Sequence, residues 1–105
     1  MRKSIHGDYA GFYHPSRFCN FISNINGFEE VAKGFPCDLF VAYLSQQKVV
    51  VKYRTYGELK SSFPPEGKWA DIELFGDENG VGEIEKMILE RAEKYEKTQR
   101  KAVPI

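Results

Sequence analysis

At 105 residues the chain predicts a single domain, residues 1–105, with one ordinary core and no room for a second. Its 42% hydrophobic residues, eight Phe and six Tyr among them, exclude a disordered chain, because that much apolar surface offsets the entropy lost on folding. A formal net charge of zero removes the simplest case for non-specific binding to nucleic acid or to an anionic membrane.

Residues 1–14 mix Gly with aromatics and show weak periodicity, which predicts an irregular N-terminal segment, a loop or a short strand. From Pro15 the pattern changes. Phe18, Phe21, Ile22 and Ile25 recur at i, i+3, i+4 and i+7 and so share one face of a short helix over 15–26. Pro15 suits the first turn, where its missing N–H is not needed, and Asn26-Gly27 supplies the stop. Phe28 to Lys33 reads as one further helical turn, ended by Gly34 and Pro36.

Asp38 to Leu44 is almost continuously apolar, as in a central strand covered on both faces. After the polar Ser45-Gln46-Gln47 turn, Lys48 to Tyr56 alternates: Val49, Val51 and Tyr53 share one face, Val50, Lys52 and Arg54 the other. Gly57 to Lys68 holds Ser61-Ser62, Pro64-Pro65 and Gly67, which predicts a long surface loop. Trp69 to Phe75 alternates again, with Ala70, Ile72 and Leu74 against Trp69, Asp71, Glu73 and Phe75. Gly76 to Gly80 then turns into a last helix, expected from about Val81 to Lys97, which Asp77 or Asn79 caps. Its buried stripe is Val81, Ile84, Ile88, Ala92 and Tyr95, assisted by Met87 and Leu89, with Glu90–Lys94 and Glu93–Lys97 as outer i,i+4 pairs. Residues 98–105 are expected to fray. The fold class is therefore α+β: a short N-terminal helix, a three-stranded antiparallel meander, and a long C-terminal helix packed on the sheet.

Two cysteines, Cys19 and Cys37, with no signal-peptide pattern and no apolar stretch long enough to span a bilayer, fit a cytoplasmic protein with reduced thiols. Charge is unevenly spread. Residues 1–60 carry eight Lys/Arg against five Asp/Glu, and residues 61–105 carry seven against ten.

Several constellations bear on chemistry. Asp38 with Glu58-Leu59-Lys60 has the general spacing of Mg²⁺-dependent nucleases of the restriction-endonuclease type, in which two carboxylates hold the metal and the Lys steadies the attacking water. Against it, Glu58 follows Gly57 at the start of a loop, and such a spacing arises by chance in a charged chain. His6, His14, Cys19 and Cys37 match no zinc spacing, His14 and Cys19 make a poor nucleophile–base pair, and there is no phosphate-cradling glycine loop. No cofactor or metal is expected.

Basic and aromatic residues interleave at Arg2, Lys3, Tyr9, Phe12, Tyr13 and Arg17, and again at Lys48, Lys52, Arg54 and Tyr56, as in a single-strand nucleic-acid binder. A simpler reading pairs Lys52 and Arg54 with Asp71 and Glu73 across neighbouring strands. Trp69, Asp71, Glu73, Phe75, Asp77 and Glu78, beside the Phe63-Pro64-Pro65 loop, form an acidic and aromatic surface favoured for binding, one that could enter a nucleic-acid-binding groove of the partner, since a large aromatic beside charge is typical of interface hot spots. The expected function is non-catalytic binding of a protein partner, with a basic groove as the best fit, in the role of regulator, inhibitor or adaptor. Nuclease and nucleic-acid binder are the alternatives. A sheet with one lid helix also leaves a face to cover, which a homodimer would do.

Overall fold

The computed structural model describes residues 1–34, 39–56 and 69–102. Among these residues lie five strands and two helices in the order β1 (Arg2–Asp8), α1 (Pro15–Ser23), β2 (Phe28–Lys33), β3 (Leu39–Leu44), β4 (Val49–Tyr56), β5 (Trp69–Gly76) and α2 (Glu78–Ala102). All pairings are antiparallel, and the sheet order is β1-β5-β4-β3-β2. The α+β class and the meander of the last three strands stand as expected; the count of three strands does not.

The two additional strands lie at the two edges of the sheet. In β1 only Ile5 is buried, so the segment offers almost no hydrophobic alternation, and its hydrogen-bond partner is β5, more than sixty residues away. A strand with one buried residue is invisible to periodicity and is fixed by its ladder instead. In β2 the sequence Phe-Glu-Glu-Val-Ala-Lys favours a helical turn locally, yet pairing with β3 overrides that preference, with a bulge between Glu30 and Ala32. Its charged side chains and bulge keep this edge from templating another chain.

Alternation sends Ile5, Phe40, Ala42, Leu44, Val49, Val51, Tyr53, Ala70, Ile72 and Leu74 to one face, where they form a single core with Phe18 and Ile22 of α1 and Val81, Ile84 and Ile88 of α2. Both helices therefore cover the same side. Phe18 stacks on Tyr53 with ring centroids 5.2 Å apart, and the Tyr53 hydroxyl donates to the Tyr13 carbonyl at 2.7 Å. Burial raises the Tyr13 phenol pKa above its ordinary value of 10.0. Helix α1 begins as expected, with His14 Nδ1 accepting from the Ser16 backbone N–H and Pro15 in the first turn, but it ends at Ser23 with Asn24 as its C-cap, short of the expected end at 26.

Helix α2 is longer than expected, from Glu78 to Ala102, and Asp77 caps it by accepting from Gly80 N–H at 3.1 Å. Its fully buried stripe is limited to Val81, Ile84 and Ile88; Met87, Ala92 and Tyr95 are half-buried, and Leu89 faces solvent. The cause is length. Twenty-five residues span about 37 Å, whereas the strands are at most eight residues, about 26 Å, so the last turns overhang. Of the outer pairs, Glu93–Lys97 forms at 3.0 Å, while Glu90 meets Lys86 at 3.9 Å in place of Lys94.

Candidate binding surface

The other face of the sheet is covered by no element among the described residues. Strand β3 buries Phe40, Ala42 and Leu44 and leaves Leu39, Val41 and Tyr43 half-exposed, so the expectation of a strand covered on both faces is corrected. Its continuous apolar run serves a core on one side and an open surface on the other. Register places these residues in rows: Arg2, Phe75, Val50, Tyr43 and Glu29 across one line, and Ser4, Glu73, Lys52 and Val41 across the next. His6, Asp71, Arg54 and Leu39 form the third. Apolar side chains dominate the β3 side of this face, and charge and aromatic rings the β5 side.

All four strand residues of the expected surface, Trp69, Asp71, Glu73 and Phe75, lie together on this face. Trp69 is the most open of them, at 39% exposure. The strand beside them is β1, in the segment expected to be a loop or a short strand, and it supplies their partners. Arg2 reaches Glu73 at 2.6 Å and lies 5.8 Å from the centre of the Phe75 ring. His6 contacts the Asp71 carboxylate and faces the Trp69 ring at a centroid distance of 6.2 Å. The signal for Arg2 and His6 was their period-two spacing with Ser4, which a single intervening Ile was too weak to flag.

On the far side of β5, Lys52 stands opposite Glu73 and Arg54 opposite Asp71, the cross-strand arrangement read from the sequence. Base thus flanks each of the two acids on both sides. The face is charge-balanced and carries no acidic field of its own.

The remaining expected residues scatter. Asp77 and Glu78 sit at the start of α2, where Asp77 is engaged as the cap. Phe12 and Tyr13 are core residues, and Arg17 donates to the Gly11 carbonyl at 2.9 Å while lying over the Tyr95 ring. Lys48 holds a left-handed backbone (φ 59°) in the turn before β4. Cys19 is half-buried against the core. Cys37, Asp38, Glu58, Lys60 and the Phe63-Pro64-Pro65 loop lie outside the described residues. Among the described residues no three His, Cys, Asp or Glu side chains converge as metal ligands, and no helix is long and apolar enough to cross a membrane. No protein-family model, curated protein or solved structure matches the chain.

Proposed function

We propose that this chain is a non-catalytic protein-binding module whose contact surface is the uncovered face of the sheet. The observation that carries this reading is the gathering of Leu39, Val41, Tyr43, Val50 and Phe75, with Trp69 beyond the charged rows, on a side of the five-stranded sheet that no described element covers. Apolar side chains side by side along β3 and at the Val50–Phe75 row, next to the charged pairs of β4 and β5, are what a binding partner desolvates. Because Arg2 and His6 meet the acids of β5, a partner of mixed charge fits better than one with a uniformly basic groove.

Photo-crosslinking tests the reading. A benzophenone side chain placed at position 41 or 50 is expected to capture protein in native lysate, and the same group at position 90 on the outer side of α2 is not. Equal capture from all three positions, or none from positions 41 and 50, overturns it.

A further inference from the structure

The strand register carries one more conclusion, which rests on the surface reading above and names the partner: we infer that the open face binds a second copy of this chain. Strands β4 and β5 face each other in the register Val50↔Phe75, Lys52↔Glu73 and Arg54↔Asp71. Within each pair the members differ in a complementary way, base against acid or aliphatic against aromatic. Consider a two-fold axis lying in the interface, parallel to the strands and midway between β4 and β5. That rotation lays each β4 residue of one copy over its own β5 register partner in the other. Lys52 then meets Glu73 of the second copy, Arg54 meets Asp71, and Val50 packs on Phe75. The β4–β5 centre of the face is its own complement, as an isologous interface requires, while Leu39, Val41 and Tyr43 of β3 come to lie over His6, Ser4 and Arg2 of β1 in the second copy.

Three further observations agree. Lys52, half-buried on this face, makes no ion pair with any described residue, although Glu73 stands opposite it; the acid is drawn toward Arg2 instead. The balanced face and zero net charge leave no field to repel a second copy. Sheets packed face to face cross at about 30°, and the two charged rows lie nearest the centre of that rotation, where displacement is least. About that axis β1, β5, β4 and β3 of one copy lie over β3, β4, β5 and β1 of the other, and β2 overhangs. Four strands about 4.8 Å apart and about 20 Å long make roughly 400 Å² per face, or roughly 800 Å² in all, the size of a weak, reversible contact. A reversible dimer follows.

Charge reversal decides the matter, with circular dichroism to verify that each variant is folded. In Lys52→Glu the second copy would present acid to acid, and in Glu73→Lys base to base. Each variant alone is expected to raise the dimer dissociation constant by at least about tenfold in sedimentation equilibrium. Mixed one to one, the two variants bring their altered positions together with opposite charge, while the symmetric contact keeps the native Lys52 over Glu73, so a heterodimer of near wild-type affinity is expected. No effect within one chain predicts that rescue. A wild-type chain that stays monomeric across the concentration series, or a mixture no tighter than either variant alone, overturns the inference. If the wild type is monomeric while positions 41 and 50 crosslink a different protein, the second copy is wrong and the surface reading survives; if those positions crosslink nothing, the surface reading itself falls.

Discussion

The Tyr53 hydroxyl shows how one polar atom is kept inside an apolar sheet. Its ring stacks on Phe18 and its oxygen donates to the Tyr13 carbonyl, a bond that joins β4 to the connection leading into α1. Replacing it by Phe keeps the ring and strands the carbonyl, which costs about 1–2 kcal/mol because a buried acceptor loses the donor that compensates it for leaving water. Urea denaturation of Tyr53→Phe measures this directly, and an unchanged midpoint would mean the bond contributes nothing. On the open face the same logic runs weakly. Arg2–Glu73 and His6–Asp71 are solvent-flanked pairs, so they set the position of the acids and add little stability.

At the level of elements, the start of α2 is shaped by what it packs on. A Cβ at Gly80 would fall 1.9 Å from the Gln47 carbonyl oxygen, so the first turn of α2 lies directly on the β3–β4 turn. At Gly82, two residues on, no atom stands within 4 Å of an added Cβ. The two positions therefore predict opposite signs. Gly82→Ala gains about 0.5–1 kcal/mol, since alanine loses less backbone entropy in a helix. Gly80→Ala loses about 2 kcal/mol or more, because the helix must lift off the turn and open the contact beneath Val81. Thermal unfolding of both variants checks the pair; stabilisation by Gly80→Ala would show that the helix start is loosely seated. Helix preference alone assigns both glycines the same effect, and only the neighbouring turn separates them.

At the scale of the whole molecule the described residues form two layers, with both helices on one side of the sheet and β1 closing its β5 edge. That edge strand joins the chain's beginning to its later half: the Met1 amino group donates to the Gly76 carbonyl at 3.0 Å, and Ile5 enters the core. Deleting residues 1–8 would bare the β5 edge, expose the core at Ile72 and leave Asp71 and Glu73 without their β1 bases. A fall in melting temperature of at least about 10 °C is expected, since each kcal/mol is worth about 4–8 °C in a domain of this size, with concentration-dependent aggregation through the free edge. An unchanged melting curve would show that β1 is a minor ornament on an independent four-stranded sheet.

The α+β class, α1, the last three strands and the capping of α2 were all legible along the chain, because each is written in local terms. Phe18 and Ile22 repeat at helical spacing, Val49, Val51 and Tyr53 alternate, and Asp77 precedes a helix it can cap. The grouping of Trp69, Asp71, Glu73 and Phe75 on one face followed from the same alternation. What local pattern did not contain was the pairing of distant segments. Strand β1 buries one side chain and β2 prefers a helical turn, so neither announces itself; each exists because a neighbouring strand offers an unpaired row of N–H and C=O groups. The site changed with them. Two carboxylates that read as an acidic surface became a charge-balanced one once a distant strand brought Arg2 and His6 beside them, and the complementarity of β4 with β5 became a surface property only when both helices settled on the opposite face.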